Sequence, residues 1–452
     1  MVRDVLLTTV MVLLSDFGLL TQADGAIFAL VVSVVVPELA PYMLLSVCMF
    51  QGAAGLSVLW WYLGTAIVGG CMVVRFLVGR GAASVLNSPV APLLGMAIIV
   101  VLYGTIASFA NEMLGGYPQD LTRSPVLVGV LMVGMICIGV ISAFELFRDE
   151  CFPKRILLVV GVLVCNALFV AAVKIFIGPF VFVHASELAG LEEAAQLVVP
   201  TSFGFPRITG TYLTPNGFAL CYALVALMLL LRANYQKITC RYIFGYFLLG
   251  SILSVLSCSK AILIFFGLSI FVLLIHNYKA MLSMTLLLGA AIIVVIPKVG
   301  LERFLDGFRI PSFAEGSYRA DSWSLTVNSF SLFDWIFGTG LSAWPQFFQQ
   351  NLGYKLSDPH SYILSIPGTF GILGVFFYCM VALILGKVLF VSSGGGRALA
   401  ACLLGLFFVK DAVSIPYLLG NTPVTILVWI LLSGCLLLSK QPVVRGSKLS
   451  FL

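Results

Sequence analysis

Apolar residues in this chain come in long uninterrupted runs rather than in alternation, and the runs are of similar length. The clear ones cover residues 56–76, 90–110, 125–147, 156–178, 215–232, 242–258, 260–276, 280–297, 362–388, 398–415 and 422–438. Each is close to the roughly 17–25 residues with which an α-helix crosses a hydrocarbon layer about 30 Å thick. Two more precede them, at 5–20 and at 26–50, the second interrupted by Pro37 and Pro41. Backbone groups inside lipid must be satisfied within the segment, so such runs predict helices. The expectation is an all-α polytopic membrane protein with about 12 to 14 crossings, one integral membrane domain over residues 1–452. No cleavable leader pattern is evident, and the first run reads as a membrane segment.

Between the runs, basic residues are gathered in short connectors. Arg75 and Arg80, Arg148 with Lys154 and Arg155, Arg232 with Lys237 and Arg241, Lys279, Lys387 with Arg397, and Lys440 with Arg445 and Lys448 all fall there or in the tail. Lysine and arginine are retained on the cytoplasmic side, which orients the chain. Alternation then puts 111–124, 179–214 and 298–361 on the other side. The last two exceed ordinary connectors, and long connectors are usually functional or disordered. Segment 298–361 carries Phe304, Phe308, Phe313, Tyr318, Trp323, Phe330, Trp335 and Trp344, too aromatic a set for disorder. It is predicted to fold as short helices lying on the outer surface.

Composition agrees with this picture. The chain is 61% hydrophobic and 10% charged, with a mean hydropathy of +1.10, where soluble proteins carry roughly 25% charged residues. A net charge of +6 would suggest nucleic acid for a soluble chain; here the basic residues set topology and no nucleic-acid partner is expected. Most of the eleven cysteines, including Cys71, Cys137, Cys165, Cys221, Cys379, Cys402 and Cys435, lie inside apolar runs. None forms a metal-ligand spacing, so they read as small packing residues, with neither a disulfide framework nor a structural zinc expected.

Against so little charge, the groups on the predicted outer side matter. The first long loop ends in Arg207-Ile-Thr-Gly-Thr-Tyr212-Leu-Thr-Pro-Asn216-Gly and runs directly into an apolar helix. Thr214 or Asn216 can cap that helix, Pro215 suits its first turn, and its free N–H groups favour an anion. Arg207 can fold over the same spot and grip phosphate with its planar fork, or it can pair with Glu192 or Glu193. The second loop sets Lys298, Arg303, Arg309 and Arg319 against Glu302, Asp306, Glu315 and Asp321. Surface pairing explains several of these, so Arg303 and Arg309 stand between pairing and ligand binding. Arg319 is sharper, with Trp323 one helical turn later and Gly338-Thr-Gly340 following. Lys260, at the outer end of a run, either snorkels to the interface or adds a cation to the site. His360 closes the loop in Asp358-Pro-His-Ser361-Tyr at a helix entry; His184 and His276 are the other histidines. A lone histidine is more often structural, but this one faces the cationic loop, where neighbouring arginines would keep its ring unprotonated, as a general base requires. Lys410-Asp411, within 398–415, reads as an internal salt bridge between helices.

These segments together resemble the O-antigen ligase and O-antigen polymerase superfamily of bacterial inner-membrane glycosyltransferases. The family's ligase-type pattern is His, then Asn, Ser or Gln, nine residues, Gly, two residues, and Gly, Thr or Tyr. This chain reads His360-Ser361, nine residues, Gly371, Ile372-Leu373, Gly374. Arg319-Ala-Asp-Ser-Trp323 leading to Phe337-Gly-Thr-Gly340 is similar to the family's Arg-x-x-x-Trp and Phe-Gly-x-Gly stretch, and the 207–216 segment to its earlier arginine, glycine and Pro-Asn pattern. Paired Arg-ten-residues-Gly motifs of the polymerases are not matched, since nine residues separate Arg207 from Gly217.

The resemblance implies a GT-C-like fold with a helical periplasmic loop and an active site facing the periplasm. It also implies en bloc transfer of a glycan from undecaprenyl pyrophosphate to a sugar hydroxyl, inverting and without a metal or cofactor; no Asp-x-Asp occurs in the chain. His360 would be the base, with Arg207 and Arg319 stabilising the leaving pyrophosphate. Arg303, Arg309, Lys260, Tyr212, Asn216, Trp323 and Ser361 would bind substrate. The acceptor is another lipid-linked glycan for a polymerase, the preferred subtype, or lipid A-core for a ligase, toward which the histidine pattern leans. A chain-length regulator is a further partner the family allows. A transporter of lipid-linked sugars is the reading from another class; it predicts charge buried in broken helices with repeated halves, and no repeat accompanies Lys410-Asp411.

Overall fold

The computed structural model describes residues 22–49, 58–79, 81–114, 124–149, 155, 161, 220–221, 223–224, 227–228, 318–353, 359–392, 395–411 and 416–439. They are mostly helical, with no strand among them. The first helices are α1 (Gln22–Val35), α2 (Ala40–Met49), α3 (Val58–Val78), α4 (Gly81–Leu86), α5 (Ala91–Met113) and α6 (Pro125–Arg148). After the gap come α7 (Tyr318–Ser329), α8 (Leu332–Phe337), α9 (Ala343–Leu352), α10 (Tyr362–Val391), α11 (Gly395–Leu404) and α12 (Val424–Ser439).

Three of these helices, α5, α6 and α10, are long and apolar enough to cross a membrane. Their starts follow the sequence closely: α5 and α6 each begin with proline in the first turn, where its missing N–H costs nothing. The broken 26–50 run resolves as α1, a 3-10 turn at Pro37–Leu39 and α2. Leu220, Cys221, Ala223, Leu224, Leu227 and Met228 are helical and buried at the spacing of one helix face. The runs predicted at 5–20, 242–258, 260–276 and 280–297 lie outside the described residues, as does nearly all of 156–178.

α6 is the hub of the bundle, packed against α3, α5 and α12. Its approach to α12 depends on Gly139, where a Cβ would stand 2.7 Å from Trp429 Cβ and 2.9 Å from the Ile426 carbonyl. Trp429 is buried there, its indole N–H donating to the Leu418 carbonyl at 2.9 Å. Opposite faces stay uncovered: Ile27, Leu30 and Val34 on α1, Ile99, Leu102 and Ile106 on α5, and Ile372, Phe376 and Leu383 on α10 are exposed. Long helices with one packed and one bare apolar face suit a membrane protein, whose lipid covers the second.

The basic residues near the ends of α3 and α6 are not isolated charges. Arg75 pairs with Glu145 and donates to the Pro37 carbonyl at 2.6 Å. Arg155 bonds Asp149 at 3.0 Å, and the Tyr42 hydroxyl donates to the same carboxylate at 2.5 Å. The network ties the α1–α2 corner to two helix ends. Replacing Arg75 with methionine keeps the apolar stem and strands Glu145. It is expected to lower stability by about 1–3 kcal/mol, read as the thermal midpoint in detergent.

One predicted run departs from a plain helix. α11 passes into a π-helical turn at Gly405–Lys410, ahead of the buried Asp411. The side chain of Lys410 lies outside the described residues, and with it the expected Lys410-Asp411 bridge.

Candidate functional site

Of the sequence-selected residues, Arg207, Tyr212, Asn216, Lys260, Arg303 and Arg309 lie outside the described residues. Arg319 is placed by its backbone in the first turn of α7, and Trp323, His360 and Ser361 are placed in full.

The described part of the aromatic loop, 318–353, is a folded unit. Phe330, Trp344, Phe347 and Phe348 form its core, with Leu325, Trp335 and Leu352 packed around them. Phe330 stacks on Trp344 with ring centroids 5.1 Å apart. α8 starts in a reciprocal cap, the Ser331 hydroxyl accepting from the Asp334 N–H while the Asp334 carboxylate accepts from the Ser331 N–H.

This unit is anchored at two places. The first is the turn at 359–361. Trp323 on α7 donates its indole N–H to the Pro359 carbonyl at 2.6 Å. One residue later the backbone of His360 turns to φ 53, the left-handed region that costs a non-glycine residue of order 1 kcal/mol. Ser361 then caps α10, its carbonyl accepting from Leu364 N–H at 3.2 Å and Ser365 N–H at 2.8 Å. His360 is therefore held between a hydrogen-bonded carbonyl and a helix N-terminus, half-buried, in a conformation its surroundings impose. Arg319 lies one turn before Trp323 on α7, so Trp323 links its helix to the histidine turn. Ser361 is buried, and its clearest role is this helix start.

The second anchor joins the two glycine motifs. α10 is interrupted at Gly371, whose φ is 59 and ψ −154. Just before the break, the Gly368 carbonyl accepts from Thr339 N–H at 2.7 Å and the Thr369 carbonyl from Gly340 N–H at 3.1 Å. The Trp344 indole donates to Thr369 Oγ1 at 2.7 Å. A Cβ on Gly371 would stand 2.2 Å from the Ile336 carbonyl oxygen and one on Gly338 2.5 Å from the Thr369 carbonyl oxygen, so the turn and the break meet only with glycine at these positions.

A third partner was not singled out from sequence: α5. Tyr103 donates to the Phe337 carbonyl at 2.8 Å, Ser108 accepts from Leu341 N–H at 2.7 Å, and Asn111 donates to the Thr339 carbonyl at 3.2 Å. Tyrosine, serine and asparagine on one stripe of an apolar run were the available signal. This docking also places the loop at the C-terminal end of α5, opposite the Arg75 network.

Chemically, the site offers a histidine on a constrained turn, a helix start, and an arginine-bearing helix tied to that turn. Replacing Trp323 with phenylalanine keeps the ring but frees the Pro359 carbonyl. A loss of about 1 kcal/mol of stability is expected, with a larger loss of whatever activity depends on His360; an unchanged activity would separate the two elements. No family model matches the chain and no curated protein matches it, so a functional reading rests on these residues.

Proposed function

We propose that this chain is a GT-C-like glycosyltransferase of the bacterial inner membrane, with its long loops and active site on the periplasmic face. It transfers a glycan en bloc from undecaprenyl pyrophosphate to a sugar hydroxyl of another lipid-linked glycan, as a polysaccharide polymerase does. The observation that carries the reading is the 359–361 turn: His360 is held in a left-handed conformation beside α7, the helix that bears Arg319. In the reaction, His360 takes the proton from the acceptor hydroxyl as that oxygen attacks the anomeric carbon. The bond from that carbon to the pyrophosphate oxygen breaks, its electron pair leaves with undecaprenyl pyrophosphate, and the configuration inverts. Arg319 and Arg207, with Arg303 as a further cation, stabilise the charge gathering on the leaving group.

Lipid A-core as acceptor would make the protein a ligase, which the His360-Ser361 to Gly374 spacing favours. A transporter of lipid-linked sugars finds support in the break at Gly371 and the buried Asp411. Purified protein in liposomes with a lipid-pyrophosphate glycan and a chelator separates the three. Elongated lipid-linked product supports the polymerase, glycan on added lipid A-core supports the ligase, and donor movement without transfer to either acceptor rejects transferase activity.

A further inference from the structure

We infer that α8 and the turn after it are immersed in the edge of the lipid bilayer, as a helix lying along the membrane boundary rather than above it in water. The observation is a cluster of bare apolar side chains on a helix that is otherwise well made. Leu332 is 75% exposed and Phe333 58%, and Ile336 and Phe337 are exposed beside them. Phe333 and Phe337 contact each other with ring centroids 4.4 Å apart and present a joint surface. Polar termination is confined to the reciprocal Ser331–Asp334 cap at one end.

What covers this face follows from where it sits. The carbonyl of Phe337 is bonded to Tyr103, and the α5 residues around Tyr103, namely Leu102, Ile106 and Phe109, are exposed and apolar. The first charge on α5 is Glu112, nine residues beyond Tyr103, which is about 13 Å of helix. The bare belt of α5 therefore continues past the level at which α8 ends. On the other side, α8 rests against Gly371, and the next residue of α10, Ile372, is exposed as well. Lys387 comes sixteen residues after Gly371, about 24 Å of helix, less than the roughly 30 Å of hydrocarbon. Both neighbours thus place α8 within or at the margin of the apolar layer, and its exposed face continues theirs. Acyl chains of ordinary phospholipid, which cover α5 and α10, are its occupant. This revises the expectation that the loop helices all lie on the outer surface, and it stands independently of the transferase reading.

The test uses the full chain in nanodiscs of phosphatidylethanolamine and phosphatidylglycerol carrying a diazirine midway along an acyl chain. After photolysis, the peptide spanning 331–341 is expected to carry lipid adducts within about twofold of the yield on the bare face of α5. Phe333→Asp should reduce that labelling and leave the α5 yield unchanged. Labelling of α5 without 331–341, labelling of neither, or hydroxyl-radical oxidation of Phe333 at the level of a water-exposed residue overturns the inference.

Discussion

His360→Asn is expected to remove glycan transfer by at least about 100-fold while leaving the thermal midpoint close to that of the parent protein. General-base catalysis contributes roughly 10²–10⁴ in rate, which sets the size of the loss. Asparagine is the informative replacement because His360 sits at φ 53, and asparagine tolerates that region better than alanine. The variant therefore removes the base without disturbing the turn. Arg319→Ala should cost roughly 100- to 1,000-fold, the range for removing one stabilising group from a developing negative charge. Arg319→Lys should recover only part, since an ammonium keeps the charge but loses the planar fork. Wild-type transfer by His360→Asn in a protein that does transfer glycan would make His360 a structural turn residue and send the search for the base elsewhere.

Gly340→Ala should be the most damaging small substitution outside the chemistry. Gly340 has φ 92, and a Cβ there would stand 2.5 Å from both the backbone nitrogen and the Cα of Ser108. Backbone atoms within a hydrogen-bonded turn of α5 cannot step aside. The expected cost combines about 1–2 kcal/mol for the conformation with about 1–3 kcal/mol for overpacking. Gly353→Ala is the control: φ is similar at 78, yet nothing stands within 4 Å of a Cβ, so only the conformational part applies. Thermal unfolding in detergent should therefore separate the two variants clearly. Ser108→Gly should not rescue Gly340→Ala, because the clash with the α5 backbone survives it. Equal midpoints for Gly340→Ala and Gly353→Ala would mean that the glycine turn does not dock as described.

Much of the architecture could be read in advance. The run at 125–147 became Pro125–Arg148 and the run at 90–110 became Ala91–Met113, because a helix in lipid is specified by local hydropathy and by proline at its start. The aromatic content of 298–361 led to the expectation of short helices there, and its described part, 318–353, folds around Phe330 and Trp344. Other features depend on contacts that local pattern does not encode. The break at Gly371 lies inside a run that reads as one helix, and it is complemented by Gly338-Thr339-Gly340, some thirty residues earlier in the chain. The π-helical turn at Gly405–Lys410 was hidden for the same reason, since hydropathy does not distinguish it from α-helix.

For the candidate site the division is similar. Loop position and motif spacing, rather than residue type alone, nominated Arg207, Arg319 and His360, with Trp323 one helical turn after Arg319. From the sequence by itself it followed that the described residues would be mostly helical and that their long apolar helices suit a membrane. Tertiary structure decided that Trp323 holds the carbonyl next to His360, that His360 adopts a left-handed backbone, and that α5 supplies the polar stripe on which the glycine turn rests. The reason is physical: hydropathy and helix starts are properties of neighbouring residues, whereas a hydrogen bond across thirty-six residues or a glycine against a distant backbone exists only once the helices have packed.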